Sequence, residues 1–121
     1  MKRNVLVVDD DASIRGVLHD ILALHGYQVE EAVNGHDALE KLSSFTPSLI
    51  FLDLMMPTMD GIAFAQELRN RNLSYALVAI SASGTTHAFA EQIHAIGYVE
   101  KPFHISQLLN VISRWMSESQ T

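Results

Sequence analysis

The chain predicts a doubly wound α/β domain, a parallel sheet with helices on both faces, on three observations. Short runs rich in Val, Ile and Leu alternate five times with segments of helical periodicity, and strict β-α alternation implies parallel strands joined by right-handed crossovers. Three of those runs, at 5–8, 49–52 and 76–80, are apolar throughout, as strands covered on both faces must be. The other two, at 27–32 and 98–100, are respectively part polar and very short, which suits the edges of a sheet.

In chain order, the first strand at 5–8 leads into a helix marked by Ile14, Val17, Leu18, Ile21 and Leu22, at offsets 0, 3, 4, 7 and 8, closed by Gly26. The second strand sets Tyr27, Val29 and Ala32 against Gln28 and Glu30. Asn34 caps a second helix through Ala38, Leu39 and Leu42. After the third strand at 49–52, Asp60 caps a third helix through Ile62, Ala65 and Leu68. The fourth strand at 76–80 is followed by a weaker helical pattern, Phe89, Ile93 and Ile96. The fifth strand precedes a helix from about Ile105 through Leu108, Leu109 and Ile112 to Trp115, and a short polar tail follows at 117–121. Edge placement of the part-polar and the short strand selects the flavodoxin-like order 2-1-3-4-5 over the Rossmann order. The 121 residues, 1–121, fit one domain.

Composition removes several function classes. There are no cysteines, so disulfides, thiolate metal sites and thiol catalysis are excluded. The longest apolar runs fall far short of the roughly 20 residues that span a bilayer, so no membrane association is expected. Met1-Lys2-Arg3 leads directly into a strand rather than a signal peptide, which predicts a cytoplasmic protein. A net charge of −6 with eight scattered Lys and Arg argues against direct nucleic-acid binding.

In open α/β sheets ligands bind beyond the carboxyl ends of the strands. There the chain carries Asp9, Asp10 and Asp11 after strand one, Asp53 after strand three, Ser81 after strand four, and Glu100, Lys101 and Pro102 after strand five. Converging carboxylates repel unless a cation neutralises them, and an all-oxygen donor set selects a hard ion, Mg²⁺ first. Lys101 offers a point charge and Ser81 a hydroxyl for phosphoryl oxygens, so the set fits a phosphorylated Asp. Asp53, alone on the central strand and facing Asp9 and Asp10, is the best acceptor. Asp11 and Asp60 read as helix caps.

The segments 7–11 (VVDDD), 51–61 (FLDLMMPTMDG), 80–82 (ISA) and 98–103 (YVEKPF) resemble the receiver domain of two-component response regulators, with the likeness covering essentially the whole chain. The resemblance implies a chemotaxis-regulator-like domain, not an enzyme acting on a separate substrate, that takes a phosphoryl group onto Asp53 from a phosphohistidine of a sensor kinase or phosphotransfer protein. It implies Mg²⁺, or Mn²⁺ in its place, held by Asp10, Asp53 and the backbone carbonyl of Met55, with Asp9 binding directly or through water. Ser81 and Lys101 would hold phosphoryl oxygens, and Pro102 would follow a cis bond. On phosphorylation Ser81 would move toward the phosphoryl group and Tyr98 would turn inward. That would reshape the face made by the fourth helix, fifth strand and fifth helix for a protein effector or for a homodimer.

Between Ser81 and Lys101 the chain is slightly shorter than this family pattern, which predicts a trimmed fourth helix or following loop. Charged candidates for pairing through that face are sparse: Glu91, Glu100 and Arg114. The resemblance also implies that Met55 and Ser83 would line the path of a hydrolytic water, and Met cannot orient water. The six histidines lack metal-ligand spacing, and the Met55, Met56 and Met59 group reads as packing. The absence of an effector domain after Met116 predicts a stand-alone regulator or an excised receiver. A Mg²⁺-dependent phosphatase with an Asp nucleophile is the rival; it would place its nucleophile and acid as Asp-x-Asp on the first strand and add a cap domain. A nucleotide binder would need a glycine-rich loop the chain lacks.

Overall fold

Ten elements alternate along the chain: β1 (Asn4–Val8), α1 (Ala12–Leu24), β2 (Gln28–Ala32), α2 (Gly35–Lys41), β3 (Leu49–Asp53), α3 (Gly61–Asn70), β4 (Leu77–Ser81), α4 (Thr86–Gln92), β5 (Gly97–Glu100) and α5 (Ile105–Ser119). The structure, a computed structural model, describes residues 4–56, 59–81, 86–101 and 103–119, with the side chains of all but 86–87 and 115–119. The five strands form one parallel sheet in the order β2-β1-β3-β4-β5, as the edge argument required.

Alternation along the inner strands sends side chains to two cores. Leu6, Val8, Ile50, Leu52 and Ala79 meet Ala38 of α2, Phe64 and Leu68 of α3 and Ile93 beyond α4. On the other face Val5, Val7, Leu49, Phe51, Val78 and Ile80 meet Leu18 and Leu22 of α1 and Leu108 and Ile112 of α5. Burial on both faces is why these strands are apolar at every position. Among the described residues, no helix is long and apolar enough to cross a membrane.

Local chemistry sets the helix ends. The Asp11 carboxylate accepts from the Ser13 and Ile14 amides at 2.9 and 3.3 Å, Asn34 accepts from Asp37 at 2.8 Å, and Asp60 from Ala63 at 2.8 Å. Helix α1 stops where Gly26 takes φ +89°, with Gly26 N–H donating to Ala23 O and Tyr27 N–H to Leu22 O, both at 3.1 Å. That reversal drops Tyr27 into the core and starts β2 one residue later.

Some expected packing is not found. Val17 is 44% exposed; at about 100° per residue it lies a full step from Leu18, outside the arc that Ile14, Leu18, Ile21 and Leu22 share. Helix α4 ends at Gln92, so Ile96 is not helical; it is exposed, and its amide donates to Leu77 O at 2.8 Å. Ile105 is exposed in the first turn of α5, and α5 continues to Ser119 through much of the expected polar tail.

Candidate functional site

Strand register builds the site. Val8 pairs with Leu52, and Asp53 with Ile80, so the first residues beyond β1 and the last residues of β3 and β4 end at one level of the sheet edge. Asp9, Asp53 and Ser81 are all buried there, whereas Asp10 is exposed at the rim. One carboxylate oxygen from each of Asp9, Asp10 and Asp53 lies within 4.8 Å of the others.

Asp53 Oδ1 accepts from the Met55 amide at 3.0 Å, and Asp9 Oδ1 from the Asp11 amide at 2.9 Å. Lys101 reaches in from the end of β5: its Nζ lies 2.9 Å from Asp9 Oδ2 and 3.4 Å from Asp53 Oδ2. It therefore pairs first with Asp9 and only second with Asp53. The Lys101 amide is itself held by Ser81 O at 2.7 Å, which ties β5 to β4 at this point.

The electrostatics follow from that division. Burial, opposed by the Met55 amide but reinforced by the negative charge of Asp9, pushes the Asp53 carboxyl from 3.8 up to about 7. Burial alone would lower the Lys101 ammonium, yet its hydrogen bond and charge contact with Asp9 outweigh this and its pKa rises. Lys101 thus contacts two buried carboxylates, Asp9 and Asp53, while a third, Asp10, stands exposed at the rim. An all-oxygen cluster with excess negative charge, open at Asp10, fits a hard divalent cation with part of its water shell retained.

The expected site residues are thereby partly assembled. Asp9, Asp10, Asp53 and Lys101 come together, and Ser81 ends the neighbouring strand. Met55 contributes its amide, while its side chain is 65% exposed. Tyr98 is not at the carboxylates. It is 41% exposed and lines a groove of about 520 Å³ with Glu91, Ile96, Val111 and Arg114. Pro102, with the expected cis bond, and Ser83 lie outside the described residues.

Two further residues support the site without a local sequence signature of that role. Gly61 passes so close to the end of β3 that a Cβ would stand 2.5 Å from the Asp53 carbonyl oxygen and 2.8 Å from Leu54 Cα. In the sequence Gly61 closes the 51–61 segment beside the Asp60 cap, and neither feature points to a close backbone approach. Arg15 of α1 donates from Nη1 to the Asp9 carbonyl at 2.8 Å, and nothing in its spacing announces this.

Comparison with known proteins agrees with the site. Residues 5–113 match the response regulator receiver domain family. The chain is 40% identical over 109 residues to the probable transcriptional regulator ycf27 of Pyropia yezoensis, covering 88% of this chain and 44% of that protein. It is 32% identical over 120 residues to the chemotaxis protein CheY of Bacillus subtilis, covering 97% of this chain and all of that one. The crystal structure of the response regulator TrrA from Thermotoga maritima in complex with Mg²⁺-BeF superposes with a TM-score of 0.81 at 30% identity, covering 93% of this chain and 97% of that one. The chain belongs to the response regulator receiver family, and it spans less than half of the ycf27 relative but the whole of CheY.

Proposed function

We propose that this receiver domain, taken as residues 1–121, accepts a phosphoryl group on Asp53 from a phosphohistidine of a sensor histidine kinase or phosphotransfer protein. The observation that carries this reading is the buried Asp53 carboxylate facing Asp9, with Lys101 leaning on Asp9 and a third carboxylate at the rim. An Asp53 oxygen attacks phosphorus, a P–O bond forms, and the P–N bond breaks as the imidazole leaves with its electron pair and takes up a proton. The domain supplies the acceptor and positions it, and the phosphoryl group is later lost to water.

Asp9, Asp10, Asp53 and the Met55 carbonyl are assigned to Mg²⁺, with Mn²⁺ able to replace it. When bound, such an ion supplies positive charge against the developing phosphoryl oxygens. Lys101 and Ser81 are assigned to phosphoryl oxygens. Lys101 contacts Asp9 at 2.9 Å and Asp53 at 3.4 Å, so it stands within reach of an acceptor on Asp53. Ser81 and Tyr98 are assigned to a switch that biases the α4-β5-α5 face toward a protein effector, with a homodimer through that face as a second use. Its groove is lined by the charged Glu91 and Arg114 together with the apolar Ile96 and Val111, mixed chemistry suited to a protein surface.

Nothing in the site or among the relatives favours the phosphatase reading. The test is intact mass after incubation with acetyl phosphate and MgCl₂. One phosphoryl group per chain is expected, absent with EDTA and absent in Asp53→Asn. Steady turnover of a free phosphate ester without a stoichiometric adduct would overturn it.

A further inference from the structure

Arg15 lies outside the carboxylate cluster and grips it from behind. Its Nη1 donates 2.8 Å to the Asp9 carbonyl and its Nε donates 3.1 Å to Glu31 Oε1 across the gap from α1 to β2. The other Glu31 oxygen lies 2.8 Å from His19 Nδ1, one turn further along α1, and the Glu31 carbonyl accepts from Lys41 Nζ of α2. Both carboxylate oxygens of Glu31 are therefore engaged, and the Arg15 side chain is only 15% exposed. This is a built clamp rather than a loose surface pair.

The carbonyl it holds belongs to the peptide joining Asp9 to Asp10. Asp9 has further anchors: its amide donates to Ala32 O at 3.1 Å and its carboxylate meets the Asp11 amide and Lys101. Asp10 has none of these. It is exposed, and among the described residues no hydrogen bond or ion pair reaches its side chain. Where its carboxylate stands depends on the backbone, and the plane of the preceding peptide is set by Arg15.

We infer that Arg15, buttressed by Glu31, is a positioning residue for the divalent cation, orienting the Asp9–Asp10 peptide so that the Asp10 carboxylate faces Asp53. The inference rests on the reading above that these carboxylates hold the cation. It can be separated from simple electrostatics by sign. A guanidinium near a cation site repels the cation, so if Arg15 acted only through its charge, removing it would tighten binding. If it positions Asp10, removing it loosens binding, and outer-shell partners of metal ligands typically change affinity by about 10- to 100-fold.

The test is calorimetric titration of the full chain with MgCl₂ at fixed ionic strength, at a temperature where circular dichroism shows each variant folded. Arg15→Gln should weaken Mg²⁺ binding by about 10-fold. Arg15→Lys should weaken it also, because one ammonium cannot make both contacts. In a Glu31→Ala background, Arg15→Gln should add little, since the two residues act as a unit. Phosphorylation of the Arg15 variants should recover at saturating Mg²⁺, which general damage to the fold would not allow. Equal or tighter binding in Arg15→Gln, or wild-type affinity in Arg15→Lys, overturns the inference while leaving the proposed function intact. A wild-type chain that binds no Mg²⁺ would instead overturn the function itself.

Discussion

Replacing Asp53 with a side chain that cannot ionise should stabilise the metal-free domain, and only above acidic pH. Asp53 is 2% exposed, and its carboxyl is raised from 3.8 to about 7, chiefly by burial and then by the charge of Asp9. The folded state therefore keeps a proton that the unfolded chain has already released. For a raised carboxyl, the stability present below the unfolded value is lost as pH rises through the folded one. The full interval between 3.8 and about 7 is worth about 4 kcal/mol at roughly 1.4 kcal/mol per unit. Readjustment of Lys101 and entry of water reduce this, and about 2 to 4 kcal/mol is the expected range.

Asp53→Asn keeps the shape and the bond from the Met55 amide but cannot ionise. Its gain over wild type should be near zero at pH 4, grow through pH 5 and 6, and level off above pH 7. In a domain of this size each kcal/mol moves Tm by about 3 to 5 °C. Urea unfolding in EDTA at several pH values, read by circular dichroism, measures the difference directly. MgCl₂ at pH 8 should stabilise wild type and narrow the gap, because a ligand of the folded state adds its binding energy. A gap that does not change with pH, or an Asn variant less stable than wild type at pH 8, would refute the assignment of buried charge strain to Asp53.

Other outcomes follow from the same contacts. Gly61→Ala should cost about 2 to 3 kcal/mol, because its Cβ meets backbone that cannot yield, whereas Gly16→Ala, within α1 and with nothing within 4 Å of its Cβ, should gain about 0.5 to 1 kcal/mol; thermal melts compare the two. Lys101→Met should destabilise the metal-free domain by about 1 to 3 kcal/mol at pH 8 and less at pH 5, where Asp53 is protonated, as urea titrations at the two pH values would show. Met55→Asn should shorten the phosphoryl lifetime, since the exposed side chain beside Asp53 would then be able to orient water; decay followed by intact mass decides it, and equal lifetimes would remove that role.

Sequence legibility tracked how many physical causes each feature had. The inner strands were readable because burial on both faces leaves no polar position from Val5 to Val8 or from Leu49 to Leu52. The caps at Asp11, Asn34 and Asp60 were readable because a capping bond is local, closing over two or three residues. The carboxylate cluster was readable for a topological reason, since parallel winding brings every strand's carboxyl end to one edge. Ile105 does begin α5, but its exposure, like that of Val17, was not readable because an apolar pattern marks a stripe without giving its width.

What could not be read is how charge is shared once the residues meet. The sequence places Lys101 beside Asp53, but the register gives its shortest contact to Asp9, at 2.9 rather than 3.4 Å. Burial, with the charge of Asp9 behind it, raises the Asp53 carboxyl to about 7, and the longer contact from Lys101 does not offset it. The Arg15–Glu31 pair is hidden for the same reason. It depends on Val7 pairing with Glu31 in the β1–β2 ladder, which lets a residue from the second turn of α1 reach the Glu31 carboxylate and the Asp9 carbonyl together. A one-residue slip of β2 would turn Glu31 to the other face of the sheet and free the guanidinium. The part-polar composition that marked β2 as an edge strand therefore also carries a structural role: Glu31 is polar because it faces Arg15 and His19 of α1, not because it faces open water.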